Sequence, residues 1–252
     1  MKNNYVIGIQ CFNKLDTLEI VLNHLENCHG VERYTLVLFV DTSHNMPYTT
    51  RLDWHELNQR VKNYIQSYDS DKFKSIIKIE SENNLGPYIG CKKTVDICMG
   101  YSDFIIFMED DSVVSKDYLY FYEKLFEFMA NDDVFAGSAC SASRFFKESE
   151  KYNIQKVGWI NPTEFAINKN QWQKFGHIRA EICGDVRFGE AVKQNNKYTL
   201  MPVCPRMCKI GKGHPDSFSV LHNAVEESNH ENIIFLPSNN FDINYDMDLN
   251  II

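Results

Sequence analysis

Phe104-Ile105-Ile106-Phe107-Met108-Glu109-Asp110-Asp111 sets an apolar run directly against three consecutive carboxylates. Strands buried on both faces read as continuous hydrophobic stretches, and open α/β sheets bind their ligands beyond the carboxyl ends of such strands. Three adjacent carboxylates repel one another unless a cation neutralises them. The run therefore has two readings. One is a divalent-metal site that holds a phosphate-bearing substrate. The other is a strand that ends in a polar loop, with Asp111 capping the next turn.

Outward from this run, short apolar segments alternate with helical periodicity. Tyr5 to Phe12 reads as a strand, and Leu18, Val21, Leu22 and Leu25 recur at helical spacing between Asp16 and Cys28, with Asp16 or Thr17 available as a cap. Thr35 to Val40 is a second strand that ends on Asp41. A helix from Trp54 to Tyr68 and a strand from Ser75 to Ile79 follow, and the pattern breaks at Asn83-Asn84-Leu85-Gly86-Pro87. Helices are predicted around Ile89 to Met99 and over Lys116 to Met129, the latter with Tyr118, Phe121, Leu125 and Phe128 on one face. This alternation predicts an α/β fold with a mostly parallel central sheet and helices on both faces.

Beyond Asn131 the regularity weakens. Val134 to Ser138 fits a strand, Ser141 to Val157 is polar, and Gly158-Trp159-Ile160 is expected to start another element. Composition marks no second domain. Residues 1–252 read as one domain, divided into a ligand-binding half (1–130), a less regular half (131–238) and a tail (239–252).

With 252 residues, 44% of them apolar, the chain can bury a substantial core. A net charge of −8 supplies no basic field for nucleic acid or anionic membrane. No stretch approaches the ~20 apolar residues of a membrane span. Met1-Lys2-Asn3-Asn4 leads straight into a strand rather than a signal peptide, so a cytoplasmic location is expected. Eight cysteines in a chain of this size, without an export signal, read as free thiols. Cys204 and Cys208 lie near His214, but zinc would need a second close pair.

Asp41 and the triplet Glu109-Asp110-Asp111 end different strands and so fall along one edge of a parallel sheet. A carboxylate at Asp41 can accept hydrogen bonds from a base or ribose, or can serve as a strand-end cap. Gln10, Cys11 and Phe12 leave the first strand where a base could stack, or they pack as an ordinary strand end. Lys92 and Lys93 either approach phosphate or stay solvated. No Gly-rich phosphate loop follows the first strand. Diphosphate charge would then fall to a metal and basic side chains.

The polar exit of the first strand, Asp41, Asn84-Leu85-Gly86 before a helix, and Phe107 through Tyr118 together resemble nucleotide-diphospho-sugar glycosyltransferases of the GT-A fold. The N-acetylglucosaminyltransferase I type and bacterial polysaccharide glycosyltransferases are the most similar. The resemblance covers about Tyr5 to Ser219, and Glu109 to Tyr118 is its sharpest part. It implies a GT-A, Rossmann-like sheet, with Asp111 on Mn²⁺ or Mg²⁺, Asp110 toward ribose or a metal-bound water, and Glu109 orienting the donor sugar. Gly158-Trp159-Ile160 is similar to an acceptor-side segment of the family. Gly184-Asp185-Val186-Arg187-Phe188 sits where the family carries the general base, which the resemblance implies is Asp185; a helix N-cap is the other reading, with Glu190 as substitute base. Pro205 to His214 looks like the family's strand and glycine-containing loop, with His214 on the metal or diphosphate, or else a surface histidine. Asp185 lacks the paired acids and tryptophans of N-acetylglucosaminyltransferase I, so donor and acceptor identities do not carry over.

The expected function is metal-dependent, inverting transfer of a sugar from a nucleotide diphosphate, expected to be UDP, to a hydroxyl of a glycan or lipid-linked glycan in surface-polysaccharide synthesis. That acceptor leaves room for peripheral membrane association. The alternatives are a nucleotidyltransferase and a catalytically inactive nucleotide-sugar or glycan-binding module.

Overall fold

The computed structural model describes residues 4–46, 53–141, 152–211 and 250–251. Strand β1 (Tyr5–Cys11) and helix α1 (Leu15–Glu26) are followed by β2 (Tyr34–Val40), α2 (Asp53–Ser67), β3 (Ser75–Glu80) and α3 (Gly86–Cys98). Strand β4 (Phe104–Glu109) turns at Asp110 and Asp111 into the short β5 (Ser112–Val114). Next come α4 (Tyr118–Phe128), β6 (Val134–Gly137), β7 (Asn153–Val157), β8 (Glu164–Asn168) and α5 (Lys169–Phe175). A 3₁₀ turn at Gly176–Ala180, α6 (Gly184–Gln194), β9 (Tyr198–Pro202), β10 (Met207–Lys209) and β11 (Asn250–Ile251) complete the described elements.

One sheet runs in the order β11-β7-β9-β6-β8-β4-β1-β2-β3. Its first-half strands β3, β2, β1 and β4 are mutually parallel. β8 lies antiparallel between β4 and β6, and β6 pairs in parallel with β9. Outside this sheet, β5 pairs antiparallel with β10.

Side chains alternate between the faces of a strand, and here both faces are apolar. Ile7 and Ile9 of β1, with Leu36, Leu38, Ile106 and Met108, meet Leu18, Leu22 and Leu25 of α1 and Leu119, Tyr122 and Leu125 of α4. Val6, Val37, Ile105 and Phe107 face the other way, onto Cys91, Val95 and Cys98 of α3, Trp172 of α5 and Phe188 of α6. Each fully buried aliphatic or aromatic side chain contributes about 1.5–3 kcal/mol of transfer free energy. This places helices on both faces, as the sequence pattern predicts.

The structure departs from the expectations in several places. Gly158 and Trp159 form a bend, and the next strand starts only at Glu164. The polar stretch before it contains β7, whose alternating burial suits the outer part of a sheet. α3 begins at Gly86, earlier than Ile89, because Pro87 fits the first helical turn without losing a needed N–H donor. Neither Asp16 nor Thr17 caps α1: Lys14 holds that position without a side-chain bond, and the Thr17 hydroxyl donates to the Lys14 carbonyl.

One buried acid joins the halves. Glu164 of β8 is fully buried and accepts from the Tyr118 hydroxyl at 3.0 Å, the Ser138 hydroxyl at 2.8 Å, the Ala139 N–H at 3.0 Å and the Tyr122 hydroxyl. Burial raises its pKa, while these donors act to lower it.

Helix α3 approaches β1 over Gly8, where an added Cβ would lie 2.6 Å from Cys98 Sγ and 2.9 Å from Thr94 Cγ2. Gly8→Ala is expected to cost about 1–3 kcal/mol through overpacking, read as a lower urea midpoint at unchanged slope. Wild-type stability would show that α3 can retreat freely.

Candidate active site

The carboxyl ends of the parallel strands form one edge, and the register there is set by the backbone. Gln10 pairs with Glu109, and Cys11 with Val40. After Glu109 the chain leaves the sheet, and β5 meets β10 with Lys209 opposite Ser112. The Ile210 N–H donates to the Asp111 carbonyl at 3.0 Å. A buried ion pair anchors this ribbon: Arg206 Nε lies 3.1 Å from Asp117 Oδ2, with the guanidinium over the Phe121 ring. Ser115 N–H donates to the Arg206 carbonyl, and Arg206 Nη1 donates to the Cys204 carbonyl.

This arrangement delivers two cations to the acidic triplet. Lys209 Nζ bonds Glu109 Oε2 at 2.7 Å and also Asp111 Oδ1, while Lys14 Nζ bonds Asp111 Oδ2 at 2.8 Å. At Gly211 an added Cβ would lie 2.3 Å from Asp111 Oδ2, so the loop after β10 passes this close only because residue 211 has no side chain. Burial alone would raise the Asp111 pKa, but Lys209 and Lys14 outweigh it and hold the carboxyl well below the usual range. Asp110 is different. It accepts the Phe12 N–H at 3.1 Å, and burial, reinforced by the charges of Asp111 and Glu109 against that of Lys14, pushes its pKa up to about 7.

Asp41 occupies the same edge and is 2% exposed. Its oxygens accept from the backbone N–H groups of Thr42 (2.9 Å), Leu85 (3.0 and 3.1 Å) and Gly86 (2.8 Å), with Asn84 Nδ2 at 3.4 Å. Both oxygens are thus committed to pinning the start of α3, where Gly86 adopts φ +68°. Burial still raises the Asp41 pKa, with the backbone donors opposing it. Gln10 Nε2 reaches the Gly86 carbonyl at 3.4 Å. The Cys11 side chain is fully buried in the core beneath β1, so only its backbone lies at the edge. Phe12 packs edge-on against Trp54, and its carbonyl accepts from Asn58. Lys93 is exposed on α3, about 10 Å along the helix from Gly86 at 1.5 Å per residue.

Asp185 stands in the first turn of α6, partly exposed, with Oδ1 accepting the Val186 N–H at 3.0 Å. The residue before the helix, Cys183, sits at φ +57°, a left-handed conformation unusual for a residue with a side chain. An added Cβ at Gly184 would lie 2.4 Å from the Arg179 carbonyl. Tyr88 of α3 is close enough that, after burial, the charges of Asp185 and Cys183 raise its pKa. Arg179 is also here, its guanidinium 5.7 Å from the Tyr88 ring centroid and Nη2 donating to the Pro162 carbonyl at 3.0 Å. It is 3% exposed, and among the described residues its Nε and Nη1 have no acceptor. Exposed Ile182 and Val186 lie at the start of α6, and exposed Trp159 sits against Gly189 further along it.

The structure therefore brings Glu109, Asp110 and Asp111 together with the backbone of Cys11 and Phe12, and gathers Gln10, Asp41 and Gly86 at the start of α3. It leaves Lys93 aside, and His214 lies outside the described residues. Lys14, Lys209 and Arg179 are additions that no local motif marks. The charge of the triplet signals a need for cations, but not which of the chain's 26 lysines and arginines supply them. Whether the triplet fits a divalent metal can be tested on Lys209: Glu109 and Asp111 already grip its ammonium between them, a stand-in cation on hard oxygen ligands. Among the described residues no third His, Cys, Asp or Glu completes such a set.

Two outcomes follow. Asp41→Ala leaves the buried Thr42 N–H and the half-buried Leu85 and Gly86 N–H groups unpaired and is expected to destabilise by about 2–4 kcal/mol, at roughly 1–3 kcal/mol for an unsatisfied buried group; urea unfolding reads it, and Asp41→Asn should lose less. Asp110 holds its proton in the folded state between its ordinary pKa of about 4 and about 7. The folded state thus binds more protons there, and this group's contribution makes stability fall as pH rises through that window. Asp110→Asn should remove that fall, so its melting temperature should gain on wild type from pH 4 to pH 8; parallel curves would contradict the assignment.

The chain matches no known sequence family and no curated protein. Solved structures do resemble it. TarS residues 1–349 from S. aureus superposes with TM-score 0.52 at 14% identity, over 81% of this chain and 59% of that one. The same TarS segment in complex with UDP gives 0.50 at 13% identity, over 81% and 59%. The mannosyltransferase PcManGT from Pyrobaculum calidifontis, in complex with GDP-Man and Mn²⁺, gives 0.51 at 11% identity, over 81% and 58%. The chain spans less than two thirds of each of these structures. At such identities the likeness concerns the fold, and the fold is GT-A.

Proposed function

We propose that this protein transfers a sugar from a nucleotide diphosphate donor to a hydroxyl of a glycan acceptor. One observation carries the reading: Glu109 and Asp111, paired with Lys14 and Lys209, stand at the strand edge of a GT-A sheet, and α3 packs both on β4 and on the 3₁₀ turn that leads into α6, where Asp185 stands. UDP in the TarS complex, and GDP-Man with Mn²⁺ in PcManGT, support a nucleotide-sugar donor. No helix of the described residues is long and apolar enough to cross a membrane, and the exposed Trp159, Ile182 and Val186 offer an apolar margin for a glycan or lipid-linked glycan.

In this reading the donor's diphosphate lies at the end of β4, and its sugar points toward Asp185. Asp185 keeps Oδ2 clear of the Val186 bond and accepts the acceptor's hydroxyl proton. The oxygen so activated forms the new bond to the anomeric carbon from the face opposite the phosphate, whose C–O bond breaks with its electron pair, inverting the configuration. Lys14 and Lys209 supply positive charge near the departing diphosphate, and Asp41 keeps the start of α3 in place beside it. A divalent metal, when bound, would be held by Glu109 and Asp111 and would supply further neutralisation of the leaving group.

The test is transfer and nucleotide release over UDP- and GDP-sugars with Mn²⁺, beside calorimetric nucleotide binding. Asp185→Asn is expected to lower kcat by roughly 10²- to 10⁴-fold while nucleotide affinity stays unchanged. Undiminished turnover would remove Asp185 from the chemistry, and absence of binding by either nucleotide would overturn the donor reading.

A further inference from the structure

Lys209 occupies the position that a cation bound by Glu109 and Asp111 would take. Its ammonium spans Glu109 Oε2 at 2.7 Å and Asp111 Oδ1, and Lys14 covers Asp111 Oδ2 at 2.8 Å. This is a built contact. The Lys209 side chain is 9% exposed, its backbone is in register with β5, and the strand it belongs to follows directly on the buried Arg206–Asp117 pair. The Ile210 N–H, donating to the Asp111 carbonyl at 3.0 Å, holds the same ribbon from the other end.

The charges make this arrangement self-contained. Glu109 and Asp111 carry two negative charges, and Lys14 and Lys209 carry two positive ones. A divalent cation cannot enter while an ammonium uses the same carboxylate oxygens. A diphosphate gains little from lysines already paired with carboxylates. If both arrive, the carboxylates take the metal and the ammoniums take the diphosphate, and every charge keeps an opposite partner. A lysine suits such an exchange, because its point charge rides on a flexible four-carbon stem.

We propose that Lys209, assisted by Lys14, is an exchangeable counter-ion. It holds the cation position in the free protein and passes to the diphosphate when a divalent metal enters, so metal and nucleotide bind cooperatively. Lys209 is then a positioning residue that keeps the metal out until a donor is present. The diphosphate half of this exchange rests on the donor reading above; the metal half does not.

Mn²⁺ titration followed by electron paramagnetic resonance tests it on the full chain, with Mn²⁺ alone and with UDP or GDP present. In wild type, nucleotide is expected to raise Mn²⁺ affinity by roughly 5- to 150-fold, the usual span of a coupling between two ligands. Lys209→Met should raise affinity for Mn²⁺ alone by about the same factor and should lose most of the nucleotide effect. Lys14→Met, at a more accessible position, should shift both in the same direction by less, and it carries the test should Lys209→Met fail to fold. Equal affinity for Mn²⁺ alone in wild type and the variants overturns the exchange, whatever the donor assay returns. Tighter Mn²⁺ binding in the variants, in a protein that binds no nucleotide, overturns the donor reading and leaves Lys209 as the occupant of the metal position.

Discussion

Like charges at the end of a buried strand cannot stand alone, and the layout of the site follows from that constraint. β4 delivers Glu109, Asp110 and Asp111 to the edge of the sheet, where burial removes from Asp110 and Asp111 the water that would otherwise screen them. Each acid meets the constraint differently. Asp111 is ionised between two lysines, Glu109 shares one of them, and Asp110 retains its proton toward neutral pH. The ribbon of β5 and β10 is there to bring Lys209 across, and Arg206 with Asp117 keeps the ribbon seated. A buried pair of this kind adds little to stability by itself, yet losing one partner would be costly because the other charge would remain.

A second division of labour runs through α3. Its start is tied to the end of β2 by Asp41, and its body packs on β1 through Gly8 and Gly90. Tyr88, in its first turn, sits beside Arg179 and Asp185. The helix therefore spans the strand edge and the opening of α6, and sets their spacing. Asp41 acts on the site through backbone placement, which accounts for a carboxylate kept almost fully buried with both oxygens in use.

Much of this was legible in the sequence where burial is symmetric. Continuous apolar runs such as Leu36 to Val40 mark the parallel strands, and the helical spacing of Leu18, Val21, Leu22 and Leu25 marks α1. The second half hides β7, β8 and β9 because short, largely antiparallel strands leave only weak periodic signals. The site was legible as to charge and not as to pairing. Glu109 to Asp111 announce a need for cations, but Lys14 and Lys209 are 195 residues apart in sequence and meet only through the fold. Cys11 shows the converse: its place at the strand exit suggested contact with a ligand, while strand alternation turns its thiol into the core.

The Glu164 cluster bears on how the molecule can move. Its donors come from α4 and from the exit of β6, while Glu164 itself lies on the strand that neighbours β4. Separating these segments would strand a carboxylate in a dry interior, the most costly kind of opening. Glu164 thus ties β8 to α4 and to the exit of β6 through a single buried carboxylate. A shift of the Lys14 and Lys209 heads, by contrast, breaks none of the Glu164 contacts.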